Sequence, residues 1–183
     1  MTQHAIINEN MKNIIILLGT AREGRKSEKV AHFILSLAQK RNEAQFSLVD
    51  IANFPQNKSL ALEEKNKIEW KDNLDKADAL LIVAPEYNHS YPGELKMFLD
   101  NEYEAYKNKI VAICGVSSGP IGGARMIEQL KLVLNALEMR VIKSNIFFSF
   151  VDDIFLKNGE MKDEKMWKLR VNKLLDTLLA SLK

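Results

Sequence analysis

Short apolar runs alternate with amphipathic stretches along almost the whole chain. Ile14-Ile15-Ile16-Leu17-Leu18 is a β-branched run stopped by Gly19, too short for a helix and suited to a strand buried on both faces. Val30, Ile34, Leu37 and Ala38 then recur at helical spacing, with Ser27 placed before them as an N-cap. Phe46 to Ile51 reads as a second strand, and a loop containing Pro55 leads to a charged helix from about Leu60 to Lys76 with Ile68 and Leu74 on its inner face. Ala79 to Ala84 reads as a third strand stopped by Pro85, Gly93 to Asp100 as a shorter helix, and Ile110 to Val116 as a fourth strand. Met126, Ile127, Leu130, Val133, Leu134 and Leu137 stripe the next helix. Val141 to Phe148 is the fifth strand, and Trp167, Val171, Leu174, Leu175 and Leu178 mark one buried face of a closing helix.

Five strands alternating with five helices predict an α/β, doubly wound parallel sheet, because right-handed crossovers place helices on both faces. The expected strand order is 2-1-3-4-5. Residues 1–11 read as a frayed N-terminal tail and residues 12–183 as one domain, with no internal repeat, linker or low-complexity tract. At 183 residues and 46% hydrophobic content, a real core needs no disulfide or metal staple.

Charge and cysteine use narrow the partners. A formal net charge of +2, with basic and acidic residues interspersed, argues against nucleic acid. The single cysteine, Cys114, lies inside an apolar run and reads as a small core residue. One thiol excludes an internal disulfide framework and fits a reducing compartment. With no signal-like layout at the start and no apolar run long enough for a bilayer, the expected location is cytoplasmic, away from membranes.

In such sheets ligands bind beyond the carboxyl ends of the strands, where strand order reverses. The loops after Leu18, Ala84 and Val116 are therefore the ones to inspect, and they are the most unusual in the sequence. The first, Gly19 to Ser27, offers two hydroxyls, two arginines and two glycines and runs into a helix N-terminus. Free N–H groups and the helix dipole favour an anion there, and arginine adds planar charge-assisted bonds to phosphate oxygens. A solvated polar loop with a serine cap is the plainer alternative. The loop is neither a Walker phosphate loop nor a Gly-x-Gly-x-x-Gly fingerprint.

The second loop, Pro85 to Gly93, carries two prolines and two tyrosines, suited to lining a flat ring system, while Asn88 and nearby amides could bond a heterocycle's edge. A rigid turn with its tyrosines packed as a lid or in a subunit interface is the other reading. His89 stands in this loop without a paired acid or nucleophile. The third, Ser117 to Gly123, is rich in glycine, which lets backbone approach a ligand, or simply forms a tight turn before a helix.

These loops resemble the NADPH-dependent FMN reductase family of flavodoxin-like fold, which includes azo-, quinone- and chromate-reducing enzymes. The matching segments are Gly-Thr-Ala-Arg-Glu-Gly-Arg-Lys-Ser at 19–27, Pro-Glu-Tyr-Asn-His-Ser-Tyr-Pro-Gly-Glu-Leu-Lys at 85–96, and Gly-Gly-Ala-Arg at 122–125 followed by Gln129-Leu130. The resemblance implies that Thr20, Arg22, Arg25 and Ser27 hold the FMN phosphate. It implies that Pro85, Glu86, Tyr87 and Asn88 border the isoalloxazine, with Ser117 and Gly119 closing its other side. It further implies a ping-pong cycle in which NADPH, or NADH, reduces the flavin and leaves before a small-molecule electron acceptor enters, with no catalytic side chain and no metal. Homodimers or homotetramers, with the helix after the tyrosine loop in the interface, are implied as well. Met97 to Glu102 departs from the family's usual Asn-Ala-Leu-Asp-Trp ending. A flavin-binding electron carrier or redox sensor acting on a protein partner is the alternative function, and a scaffold without cofactor is a third.

Overall fold

Strands β1 (Lys12–Leu18), β2 (Ala44–Asp50), β3 (Ala79–Pro85), β4 (Ile110–Val116) and β5 (Arg140–Phe148) form one parallel sheet in the order β2-β1-β3-β4-β5. They are seen in a computed structural model that describes residues 11–55, 62–156 and 160–183. The helices are α1 (Ser27–Ala38), α2 (Glu64–Lys76), α3 (Gly93–Leu99), α4 (Ala124–Ala136), α5 (Val151–Ile154) and α6 (Glu164–Ala180).

Successive strand residues point to opposite faces, so an uninterrupted apolar run needs a helical layer on each side. Both layers are present. Ile14, Ile16 and Leu18 pack with Val30 and Ile34 of α1 and Leu174 of α6. Ile15 and Leu17 belong to the opposite core with Trp70 of α2, Phe98 of α3 and Leu130 of α4. Cys114 faces the α1/α6 core, fully buried, and burial pushes its thiol well above the ordinary cysteine pKa, which withholds a thiolate.

Several expected boundaries move. β3 includes Pro85, because as the last paired residue opposite Val116 it need not donate; the amide of Glu86 does so instead, to the Val116 carbonyl at 2.9 Å. β2 ends at Asp50, and Ile51–Asn53 turns into a 3-10 helix whose Ala52 amide donates to the Asp50 side chain. α3 stops at Leu99, one residue early. α2 starts at Glu64 among the described residues; the expected start at Leu60 lies outside them, as do residues 1–10 of the tail expected over 1–11.

Ile68 is 55% exposed, against expectation. The buried face of α2 runs through Asn66, Trp70 and Leu74, and at about 100° per residue position 68 stands roughly 160° away from position 70. The one-turn helix α5, after the left-handed Phe150, had no signal in the periodicity. No helix among the described residues is long and apolar enough to cross a membrane.

Candidate functional site

The sheet order reverses between β1 and β3, since the chain leaves β1 toward β2 and leaves β3 toward β4. Loops at their carboxyl ends therefore diverge and leave a cleft. Its walls are the 22–27 loop, Pro85 to Tyr87, Val116 to Ser118, and Val151 with Asp152. The three loops singled out from the sequence are thus brought together. Arg22, Arg25, Ser27, Pro85, Glu86, Tyr87 and Ser117 line the cleft.

Thr20, Asn88 and Gly119 are not among the residues that line the cleft. Thr20 is fully buried, and its hydroxyl lies 2.8 Å from Glu94 and 3.2 Å from the Tyr87 hydroxyl. Asn88 and His89 form the tip of a tight turn, both with positive φ, closed by mutual backbone bonds between Tyr87 and Ser90. The Gly119 carbonyl accepts the Ser117 hydroxyl at 3.0 Å and the Phe150 amide at 3.1 Å.

The two arginines of the first loop differ sharply. Arg25 is turned inward, its side chain 9% exposed, donating to the Thr20 carbonyl at 2.5 Å and pairing with Asp50, with Glu28 3.6 Å away. It ties the ends of β1 and β2, which are adjacent because Leu18 pairs with Asp50. Arg22 is exposed, and its guanidinium lies over the Tyr87 ring at 5.6 Å from the centroid.

Ser27 corrects the expected cap. Lys26 occupies the N-cap position, Ser27 is the first helical residue, and no side chain caps α1. The Ser27 hydroxyl oxygen is buried at the cleft with no hydrogen-bond partner. A buried polar atom left unpaired costs on the order of 1–3 kcal/mol, which makes this hydroxyl a candidate contact for a ligand acceptor. The first-turn N–H groups of a helix also lack intrahelical acceptors. An anion fits this end of the cleft.

At the other end, Pro85 and Tyr87 present a rigid apolar wall. The Glu86 carboxylate faces the first turn of α4, 3.4 Å from Arg125 and 3.5 Å from the Met126 amide. The departure at Met97–Glu102 has a local purpose, because Asn101 donates to the Met97 carbonyl at 2.6 Å and accepts the Leu62 amide at 2.8 Å.

Sequence reasoning missed Lys26, Ser118 and Asp152 as cleft residues. The Ser118 hydroxyl donates to Asp152 at 2.5 Å, and Lys26 lies 3.6 Å from the same carboxylate. Lys26 and Ser118 were visible as members of suspect loops. Asp152 arrives from beyond β5 on α5, with no pattern to announce it.

Residues 12–152 match the sequence profile of the NADPH-dependent FMN reductase family. The chain is 29% identical over 139 residues to an NAD(P)H-dependent FMN reductase of Schizosaccharomyces pombe, spanning 70% of this chain and 68% of that one. It is 34% identical over 134 residues to a 2-hydroxy-1,4-benzoquinone reductase of a Burkholderia species, spanning 69% of this chain and 72% of that one. Its fold is similar to that of FerB, a flavoenzyme NAD(P)H:(acceptor) oxidoreductase of Paracoccus denitrificans, with a TM-score of 0.77, 24% identity, and coverage of 93% and 98% of the two chains.

Proposed function

The chain belongs to the NADPH-dependent FMN reductase family, and on that premise we propose that it passes reducing equivalents from NADPH or NADH through bound FMN to a small oxidised acceptor, a quinone foremost. The quinone class is supported by the likeness to a benzoquinone reductase. The observation that carries the cofactor assignment is the unpartnered, buried Ser27 hydroxyl at the N-terminus of α1, beside the exposed Arg22. A terminal phosphate would supply acceptor oxygens to the unpartnered Ser27 hydroxyl and the first amides of α1, and the Pro85–Tyr87 wall suits a flat ring. The residues present fit FMN.

FMN held in the cleft would supply the hydride and electron chemistry of a ping-pong cycle between the nicotinamide and the acceptor. This chain's own residues bind and orient. Arg22, Ser27 and the first amides of α1 hold phosphate oxygens; Pro85, Glu86, Tyr87 and Ser117 wall the ring. Thr20 and Arg25, which the family resemblance assigns to the phosphate, serve instead by holding the loop from behind. Asn88 and Gly119 shape the turns that carry Tyr87 and Ser117. Residues 12–183 act as one domain, since α6 from the end of the chain packs against β4 and β5. A cytoplasmic homodimer or homotetramer completes the reading, on the family resemblance and the lone buried thiol.

The test is a visible spectrum of the purified protein supplied with FMN, before and after NADPH without oxygen, and again after a benzoquinone. Flavin bands near stoichiometry that bleach promptly and return with the quinone are expected. Bands that persist with NADPH would indicate an electron carrier, and failure to take up FMN would overturn the cofactor assignment.

Ser27→Ala provides an independent check. With a hydrogen bond to a charged phosphate lost, FMN affinity should fall roughly tenfold. The melting temperature of the cofactor-free protein should hold or rise, because the substitution removes an unpaired buried hydroxyl. Fluorescence titration and thermal melting measure the two effects separately.

A further inference from the structure

Glu94 lies in the first turn of α3, and its Oε1 accepts the Thr20 hydroxyl at 2.8 Å and the Ala21 amide at 3.4 Å. Thr20 Oγ1 in turn lies 3.2 Å from the Tyr87 hydroxyl and 3.4 Å from the Arg22 amide, which donates to it. One side chain from α3 thereby reaches both the loop after β1 and the loop after β3. We infer that Glu94 is a positioning residue that locks the phosphate loop to the tyrosine loop through Thr20 and sets the direction of the hydrogen bonds between them; this inference rests on the FMN reading above.

The direction follows from proton counting. A threonine hydroxyl has one proton, and Glu94, a carboxylate, only accepts. With the Thr20 proton given to Glu94, the Tyr87 hydroxyl must donate to Thr20. The remaining hydrogen-bonding capacity of the Tyr87 oxygen is its lone pairs. A ligand group that meets this oxygen must therefore be a donor. Without Glu94 the Thr20 proton can turn to the Tyr87 oxygen instead, and the direction of the chain is no longer fixed. Arg22 stacks on the same tyrosine ring, so its backbone, its guanidinium and Tyr87 are held as one unit.

The contacts to Thr20 and Ala21 both use Oε1, an oxygen that a neutral glutamine side chain can also present to them. In Glu94→Gln the Ala21 N–H requires an oxygen at that position, so the amide oriented that way still accepts the Thr20 proton. FMN dissociation constants measured by fluorescence titration are expected to stay within about twofold of wild type for E94Q and to rise about tenfold for E94A, the scale of one lost hydrogen bond to a charged group. In a Thr20→Val background, E94A should add less than about twofold, because the relay has already been cut. Equal dissociation constants for E94A and wild type, an E94Q as weak as E94A, or additive effects of E94A and T20V would each overturn the inference. If E94A does not fold, Tyr87→Phe carries the test, since it removes only the hydroxyl at the relay's end; an unchanged dissociation constant in Y87F would likewise overturn it. Wild-type protein that takes up no FMN sinks the cofactor reading itself, before any variant is compared.

Discussion

Arg25→Ala is expected to lower folding stability by about 3 kcal/mol, because it strands a partly buried carboxylate. Asp50 is 19% exposed at the side chain and pairs with Arg25, which also donates to the Thr20 carbonyl. Removing the guanidinium leaves that carboxylate and that carbonyl short of donors at the joint of β1, β2 and α1. For a chain of this size the melting temperature should drop by roughly 6–12 °C. Arg22→Ala should behave in the opposite way. Its guanidinium is exposed and touches only the face of Tyr87 among the described contacts, so stability should scarcely change. FMN affinity should fall about tenfold, the scale of a charge-assisted bond to phosphate. Urea denaturation of the cofactor-free variants, followed by fluorescence titration with FMN, separates the two arginines. Equal effects of both substitutions on affinity, with neither altering stability, would return Arg25 to the role of a direct phosphate ligand.

Gly115→Ala is expected to be about as damaging through a different cause. Gly115 lies near the end of β4, where the turn before α4 folds back onto the strand. A Cβ there would meet the Gly122 carbonyl oxygen at 2.5 Å and Gly123 backbone at 3.1 Å. These are backbone atoms, and they have no rotamer to yield. Gly122 and Gly123 are themselves held at φ +65 and +87, and a Cβ at Gly123 would strike Gly115 at 2.8 Å. Relief would require moving the whole turn, which carries the start of α4 and flanks Ser117. The cost should reach roughly 3 kcal/mol, the upper range for overpacking. FMN uptake should weaken with it. Gly93→Ala is the control: a Cβ there meets nothing within 4 Å, so stability should change little. Thermal melting of the two variants decides the matter, and a Gly115 variant as stable as the Gly93 variant would refute the close-packing account.

The division between what the chain's linear order shows and what its folding adds follows the range of the interactions. The strands were legible because burial on both faces demands consecutive apolar residues, as in Ile14 to Leu18 and Ile110 to Cys114. Helix spacing gave the stripes of α4 and α6 for the same local reason. The site's three loops could be picked out because their composition is unusual and they follow strands one, three and four. The order 2-1-3-4-5, which puts the switch point between strands one and three, is an expectation that crossover handedness alone leaves open. Where two periodic registers compete on one charged helix, the linear pattern misleads: Ile68 is apolar yet points to water, while Asn66 is buried.

Polar roles were not legible, because each depends on a partner supplied by the sheet's assembly. Arg22 and Arg25 are alike on paper. Asp50, 25 residues beyond Arg25, separates them once β2 pairs with β1. Glu94 meets Thr20 across 74 residues, and Asp152 meets Ser118 across 34. Local propensity carries no term for such distances. Hydrophobic periodicity is a property of neighbours and can be read along the chain; the pairing of a buried polar group is a property of which strand ends come to lie side by side, and exists only after they do.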